Sequence, residues 1–302
     1  MMSALRDVIP EQFLANVRFD EPLSRHTSWH VGGPADAYYM PQSADELGHF
    51  LAALPQRVPI HWLGLGSNVL IRDGGLRGVV VSLLSGLSNI EWQAGTVVHA
   101  DAGVLCAVLA RQCIKWNLGP AEFFAGIPGT VGGALAMNAG AWGGETWKNV
   151  IEVDVMTRAG TRQTRPASDY KIAYRSVGSP VADEWFLGAR FDFPQTPSPS
   201  PGTIDELLTR RRETQPIGAW SGGSTFTNPQ GHFAAELIER SGLKGCRQGD
   251  AVVSPKHANF IVNEGQATAA DIELLMAQVT QEVERQQGVR LVPEVRILGE
   301  KR

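Results

Sequence analysis

Seven glycines fall within residues 126–144, GIPGTVGGALAMNAGAWGG, and no other feature of the chain limits its fold so sharply. A glycine in a regular element costs about 0.5–1 kcal/mol relative to alanine. Seven together approach the net stability of a whole domain, about 5–15 kcal/mol. A stretch so poor in side chains calls for a reason. Glycine permits positive φ and lets a ligand approach the backbone, and successive exposed N–H groups form an anion-binding concavity suited to a phosphate or pyrophosphate. A tightly packed turn, with Ala134, Leu135, Ala136 and Met137 as a buried strand or helix, accounts for the same glycines. The pattern is neither the dinucleotide fingerprint GxGxxG nor the P-loop GxxxxGK[ST].

A second glycine loop, GLGSN at residues 64–68, lies about 60 residues earlier. Alone it reads equally well as a hairpin turn with Asn68 at positive φ. Paired with residues 126–144, it offers two cradles for the two ends of a long dinucleotide.

The 302 residues suffice for two domains, or one with subdomains, around a large core. A formal charge of −4 argues against a nucleic-acid surface, so local cations or backbone amides must meet any anionic ligand. Three scattered cysteines without a CxxC argue against both a disulfide framework and a zinc site. Cys106 and Cys113 lie on a helical core pattern. His26 and His30 lack a third ligand nearby and read as loop or capping residues, so no metal is expected. No apolar run approaches the length of a membrane span, and a cytoplasmic protein without membrane insertion is expected.

Along the chain, a strand is predicted near residues 37–40 and a helix begins at Ser43. Strands follow at 60–63, 69–71 and 78–83, a hairpin at 89–102, and the cysteine-bearing helix. A second hairpin is predicted at 151–165 and a strand at 185–193. After PQTPSPSPG come helices at 203–213 (capped by Thr203 with Glu206), 233–240 and 268–287 (capped by Thr268 with Asp271, stopped at Gly288), with strands at 258–262 and 289–298. This order is α+β and lacks the βαβ alternation of a parallel nucleotide-binding fold. The expected organisation is an N-terminal extension (1–19), a first domain (20–194, in subdomains of about 20–85 and 86–194), a Pro-rich linker (195–202) and a smaller α+β domain (203–302).

Three segments combine unusual geometry with a reactive group. Arg175, in DYKIAYRS, follows an aromatic-aliphatic run that could pin its guanidinium in a cavity, although a surface arginine is the plainer reading. Ser224, in SGGSTFTNP, follows two glycines that leave its hydroxyl uncrowded; a turn serine explains it too. Glu294, in VPEVR, points away from the face shared by Val289, Leu291, Val295 and Ile297, as a solvated glutamate would.

GLGSNVLI, GIPGTVGGALAMNAGAWG, YRSV, SGGSTFTNP, LIERSGLKG, KHANFIVNEG and PEVR, in this order, resemble the motifs of the UDP-N-acetylenolpyruvoylglucosamine reductase family, in its shorter type, over nearly the whole chain. The resemblance implies a two-subdomain FAD-binding region like that of the vanillyl-alcohol oxidases, followed by a substrate-binding domain. It implies NADPH-dependent reduction of UDP-N-acetylglucosamine enolpyruvate to UDP-N-acetylmuramate through FAD. Small molecules are then the only expected partners, and oligomeric state stays open. Arg175, Ser224 and Glu294 would be catalytic: Ser224 protonates the carbanion-like carbon, and Arg175 and Glu294 stabilise the intermediate. FAD would be held by Gly64, Gly66, Ser67, Asn68, Gly126, Ile127, Pro128, Gly129, Gly132, Gly133, Asn138 and Gly140. Thr227 and Thr214 stand where the family usually has lysine, leaving Arg211, Asn228 and Lys256 as candidates for the substrate diphosphate. Another FAD oxidoreductase of the same binding fold, or a nucleotide-binding module without turnover, are the competing readings.

Overall fold

The computed structural model describes residues 5–194 and 201–302. They form two compact units: one of Ala37–Leu65, Gly78–Thr209 and the N-terminal residues through Phe19, the other of Asp20–Asp36, Gly66–Arg77 and Arg210–Arg302. Residues 20–36 and 66–77 therefore cluster with the C-terminal third of the chain. Residues 195–200 of the expected linker, and 1–4 of the expected extension, lie outside the described residues. Residues 201 and 202 already belong to the helix Pro201–Thr214. Thr203 thus sits inside that helix instead of capping it, as proline is tolerated in a first turn, where its missing N–H costs no hydrogen bond.

The first unit is built on a five-stranded antiparallel sheet, in the order Arg162–Pro166, Val150–Thr157, Glu184–Asp192, Val97–Asp101, Ile90–Ala94. Val153, Val155, Ala189, Phe191, Val98 and Ala100 turn inward and share one core with the helices Cys106–Lys115 and Val131–Met137. Cys106, Leu109, Ala110 and Cys113 supply the buried face of the first helix. Burial pushes the Cys113 thiol up to about 12, and that of Cys106 higher still. A second core packs Leu47, Phe50 and Leu51 of the helix Ala44–Ala53 with Val79 and Val81. Ser43 Oγ caps this helix as predicted, accepting from Glu46 N at 3.1 Å.

The second unit holds a four-stranded antiparallel sheet, in the order Trp220–Ser221, Ile261–Asn263, Ala251–Val253, Arg247–Gln248. The helix Ala269–Gln287 lays Ile272, Leu275, Met276, Val279 and Val283 into a core shared with Trp29, Phe226, Leu237 and Ile238. Thr268 and Asp271 form the expected capping box, and Gly288 ends the helix at φ +68°. Two expected strands are shorter than predicted. Residues 258–260 form a loop ahead of Ile261–Asn263, because Ser254 Oγ accepts from the N–H groups of Lys256 and His257 and folds the chain back. The final strand is Arg296–Leu298, paired in parallel with Val69–Ile71. Ahead of it Pro293 forms an isolated antiparallel bridge to Phe226, flanked by hydrogen bonds of 2.9 Å from Thr227 N to Val292 O and from Glu294 N to Thr225 O.

Candidate functional site

In the second unit, Gly66 adopts φ +68°, and an added Cβ would come within 1.9 Å of the His26 carbonyl oxygen. Only glycine fits. Ser28 ties this loop to the Ser224 segment: its N–H donates to Gly66 O at 3.1 Å and its Oγ to Ser221 O at 2.6 Å. The neighbouring Trp29 is fully buried, donating from Nε1 to Ile261 O at 2.8 Å while its own carbonyl accepts from Asn263 Nδ2 at 2.9 Å. The two glycines before Ser224 then differ. A Cβ on Gly222 would lie 2.5 Å from the Trp29 ring, whereas at Gly223, φ +73°, it would meet no atom within 4 Å. Glu294 N donates to Thr225 O at 2.9 Å, Asn68 Nδ2 donates to Glu294 O at 3.3 Å, and Arg296 N donates to Asn68 O at 3.1 Å. Asn68, Ser224 and Glu294 are thereby brought to one place on adjoining segments, and all three are partly exposed.

The first unit carries the second glycine loop. Thr130 caps the helix Val131–Met137, its Oγ1 accepting from Gly133 N at 3.2 Å. Close packing demands glycine at several positions: a Cβ would lie 2.7 Å from Thr130 Oγ1 at Gly64, 2.6 Å from Ala141 Cβ at Gly126, 2.9 Å from Ala102 Cβ at Gly132, and 2.3 Å from Gly144 O at Gly140. Gly133 is different. Only Thr130 Oγ1 would come within 4 Å, at 3.5 Å, so its exposed backbone lies open to a ligand. Ile127 is buried, Pro128 exposed and Gly129 partly so.

Asn138 ends the helix in the left-handed region and is 2% exposed. Its side chain is spent on protein partners: Nδ2 donates to Ala173 O (3.2 Å) and Glu145 Oε2 (3.4 Å), and Oδ1 accepts from Trp147 N (3.1 Å). Its carbonyl accepts from Arg175 Nη1 at 3.4 Å, while Gly140 O accepts from Arg175 Nη2 at 3.2 Å. Arg175 sits in the turn of the hairpin Lys171–Ala173/Ser176–Gly178, at φ +54°, a conformation that costs a non-glycine residue about 1–2 kcal/mol. Its guanidinium is aligned by the end of the glycine loop, and the hairpin is rooted by Tyr170, whose ring packs on Trp147 and Phe186. Burial pushes the Tyr170 hydroxyl up to about 12.

The three diphosphate candidates have protein partners of their own. Arg211 Nε donates to Gln215 Oε1 at 2.7 Å, and burial pulls its guanidinium below the usual arginine range. Asn228 Oδ1 accepts from Ala234 N at 3.0 Å, serving the start of the helix Ala234–Arg240, and Lys256 Nζ donates to the Arg212 carbonyl. Thr227 and Thr214 turn their hydroxyls to the backbone, onto Val292 O (3.3 Å) and Arg210 O (3.0 Å). His26 pairs with Glu21 at 2.8 Å, and His30 stacks on Trp220. Among the described residues no group of His, Cys, Asp and Glu could hold a metal ion. Sequence reasoning missed Ser28 and Trp29, for which the sole local signal is a tryptophan set in a polar run.

Comparison with known proteins agrees with this arrangement. Residues 35–164 match the family model of the FAD binding domain, and residues 215–298 that of the C-terminal domain of UDP-N-acetylenolpyruvoylglucosamine reductase. The fold and its glycine loops thus define an α+β, FAD-dependent oxidoreductase. A UDP-N-acetylenolpyruvoylglucosamine reductase of Alkalilimnicola ehrlichii is 51% identical over 301 residues, 99% of each chain. Its counterpart in Methylococcus capsulatus is 52% identical over 285 residues, 93% of this chain and 92% of that one. The crystal structure of the reductase from Thermus caldophilus superposes with a TM-score of 0.78 at 31% identity, covering 93% of this chain and 97% of that one. The chain belongs to the UDP-N-acetylenolpyruvoylglucosamine reductase family. No helix among the described residues is long and apolar enough to cross a membrane.

Proposed function

We propose that this protein reduces UDP-N-acetylglucosamine enolpyruvate to UDP-N-acetylmuramate, with NADPH as electron donor and FAD as the intermediary. The observation that carries the reading is identity of about half of all residues to reductases of this name over essentially the whole chain. The glycine loops fit a flavin dinucleotide: Gly133 leaves a backbone face that no Cβ covers, and Gly66 holds a turn no other residue can enter. Gly64, Gly66, Ser67 and Asn68 would hold one part of FAD, and residues 126–140 another. Asn138 would act through its main chain, since its amide is engaged. Residues 20–194 form the flavin-binding region and 203–302 the substrate domain, a division supported by family models that fall on either side of it.

Bound FAD supplies two-electron hydride chemistry between NADPH and the enolpyruvyl double bond. Reduction at the terminal carbon leaves negative charge on the adjacent carbon and its carboxylate. Arg175 offers that carboxylate a planar cation already oriented by two carbonyls. Ser224 Oγ gives its proton to the carbon; a hydroxyl is a weak acid, but a carbanion-like centre is a strong base, so placement decides the rate. Glu294 stabilises the charge only while protonated or paired with a cation, since a bare carboxylate would repel it. Arg211, Asn228 and Lys256 are the groups proposed for the diphosphate. The product feeds peptidoglycan synthesis, which implies a cytoplasmic enzyme serving cell-wall biogenesis, cell shape and division.

The test is spectroscopic. The purified protein should be yellow, bleach with NADPH and recover colour when the enolpyruvyl nucleotide is added. An FAD oxidoreductase of the same fold that uses an alcohol as donor would be yellow but not bleached by NADPH, and a nucleotide-binding module would not be yellow. Ser224→Ala should leave flavin reduction by NADPH intact and slow only reoxidation by the nucleotide; equal loss in both halves contradicts the role given to Ser224.

A further inference from the structure

We propose that Asn259 is a positioning residue for Ser224. The inference rests on the proton-donor role of Ser224 proposed above. Proton transfer needs heavy atoms about 2.6–3.2 Å apart, and a misplacement of about 1 Å can cost on the order of 100-fold in rate. Yet Ser224 follows Gly222 and Gly223, and on that side the nearest side-chain anchor of the main chain is Ser28, at Ser221 O. Precision must come from the other side, and Asn259 supplies it.

The Asn259 carbonyl accepts from Thr225 N at 2.8 Å. Its side chain then takes both main-chain groups of the next residue: Oδ1 accepts from Phe226 N at 3.0 Å and Nδ2 donates to Phe226 O at 2.8 Å. One buried amide, 4% exposed, thus serves both main-chain groups of Phe226, while the flanking Thr225 O and Thr227 N pair with Glu294 N and Val292 O. The loop presenting it is fixed by Ser254, whose Oγ accepts from Lys256 N (3.2 Å) and His257 N (3.3 Å). Glu294 N meanwhile holds Thr225 O at 2.9 Å. The two residues after Ser224 are therefore gripped by Asn259 and by the backbone of Glu294 together, and Asn259 sets where Ser224 stands relative to Glu294.

The test measures both half-reactions of the FAD-loaded enzyme by stopped-flow absorbance: flavin reduction by NADPH, then reoxidation by the enolpyruvyl nucleotide. Asn259→Ala is expected to slow reoxidation by about 10- to 100-fold, with flavin content and NADPH reduction unchanged within about twofold. Asn259→Asp keeps the acceptor for Phe226 N but lacks the donor to Phe226 O. It should fall between Asn259→Ala and the parent, and it carries the same comparison if the alanine variant does not fold. In a Ser224→Ala background, either change at Asn259 should cost nothing further, because the group it positions is gone. Additive losses, parallel decline of both half-reactions, or full reoxidation rates at position 259 while Ser224→Ala is slow would overturn the proposal and leave the role of Ser224 standing. Normal reoxidation in Ser224→Ala itself would remove that role, and the positioning role with it.

Discussion

Replacing Gly66 by alanine separates two penalties that a glycine substitution usually confounds. Gly66 and Gly231 both lie in the second unit with positive φ, +68° and +77°. Alanine at either pays the left-handed cost, about 1–2 kcal/mol. At Gly231 nothing lies within 4 Å of the new methyl group, so that cost is the whole effect. At Gly66 the methyl carbon would lie 1.9 Å from His26 O and 2.8 Å from Thr27 Cα, both main-chain atoms that cannot rotate away. Comfortable contact needs about 3.5 Å, so the backbone must shift by more than 1 Å at a further cost of about 1–3 kcal/mol. Gly66→Ala should thus destabilise by about 2–5 kcal/mol, against about 1–2 for Gly231→Ala. The displacement also pulls on Ser28 N through Gly66 O, and on Glu294 O through Asn68 Nδ2. Loosening of FAD should follow, by about tenfold for each 1.4 kcal/mol lost. Urea midpoints of the two apo-proteins, with flavin titrations beside them, measure both effects. Equal midpoints and equal flavin affinity would show that close approach at His26 does not govern this loop.

Two further outcomes follow from buried and paired groups. The Arg72 guanidinium grips Glu273 with two bonds of 2.9 Å and holds its carboxyl below the ordinary glutamate range. A depressed folded pKa means the unfolded chain binds the proton more readily, so this pair stabilises at neutral pH and its contribution is lost as pH falls below about 4. Glu273→Gln should flatten the fall of urea midpoint with acid, and an unchanged slope would refute the assignment. Cys106 and Cys113 are buried with raised thiol pKa values, whereas Cys246 is partly exposed. A thiol reagent at neutral pH should therefore label Cys246 alone until denaturant is added; rapid labelling of Cys113 would contradict the packing of the helix Cys106–Lys115.

What could be read from the sequence is what local chemistry determines. The helix Ala269–Gln287 announces itself through Thr268, Asp271, its apolar spacing and Gly288, all lying in the helix or directly at its ends. The segments holding Arg175, Ser224 and Glu294 were legible through motif wording. Hidden were the places where distant residues decide. The strands Val17–Pro22, Pro34–Tyr39 and Leu76–Val81 each straddle a unit boundary, and no composition change marks the crossing. Trp29 meets Ile261 across 232 positions, and Ser28 meets Ser221 across 193. No periodicity can encode such a pairing.

The pair Gly222–Gly223 shows why. In sequence they are identical neighbours before a serine, and the uncrowded hydroxyl is a fair inference from both. In the fold Gly222 is small because the Trp29 ring occupies the volume of its missing Cβ, while Gly223 faces open space at positive φ. The first is a packing constraint imposed by a residue nearly two hundred positions away; the second is a conformational one that its own turn imposes. The same split runs through residues 126–140, where Gly126, Gly132 and Gly140 are pressed by protein atoms and Gly133 is not. A glycine-rich loop in this fold is therefore two populations interleaved, one closing the scaffold and one leaving backbone bare. Counting glycines finds the loop, but only the neighbours of each absent Cβ tell which of them a ligand can use.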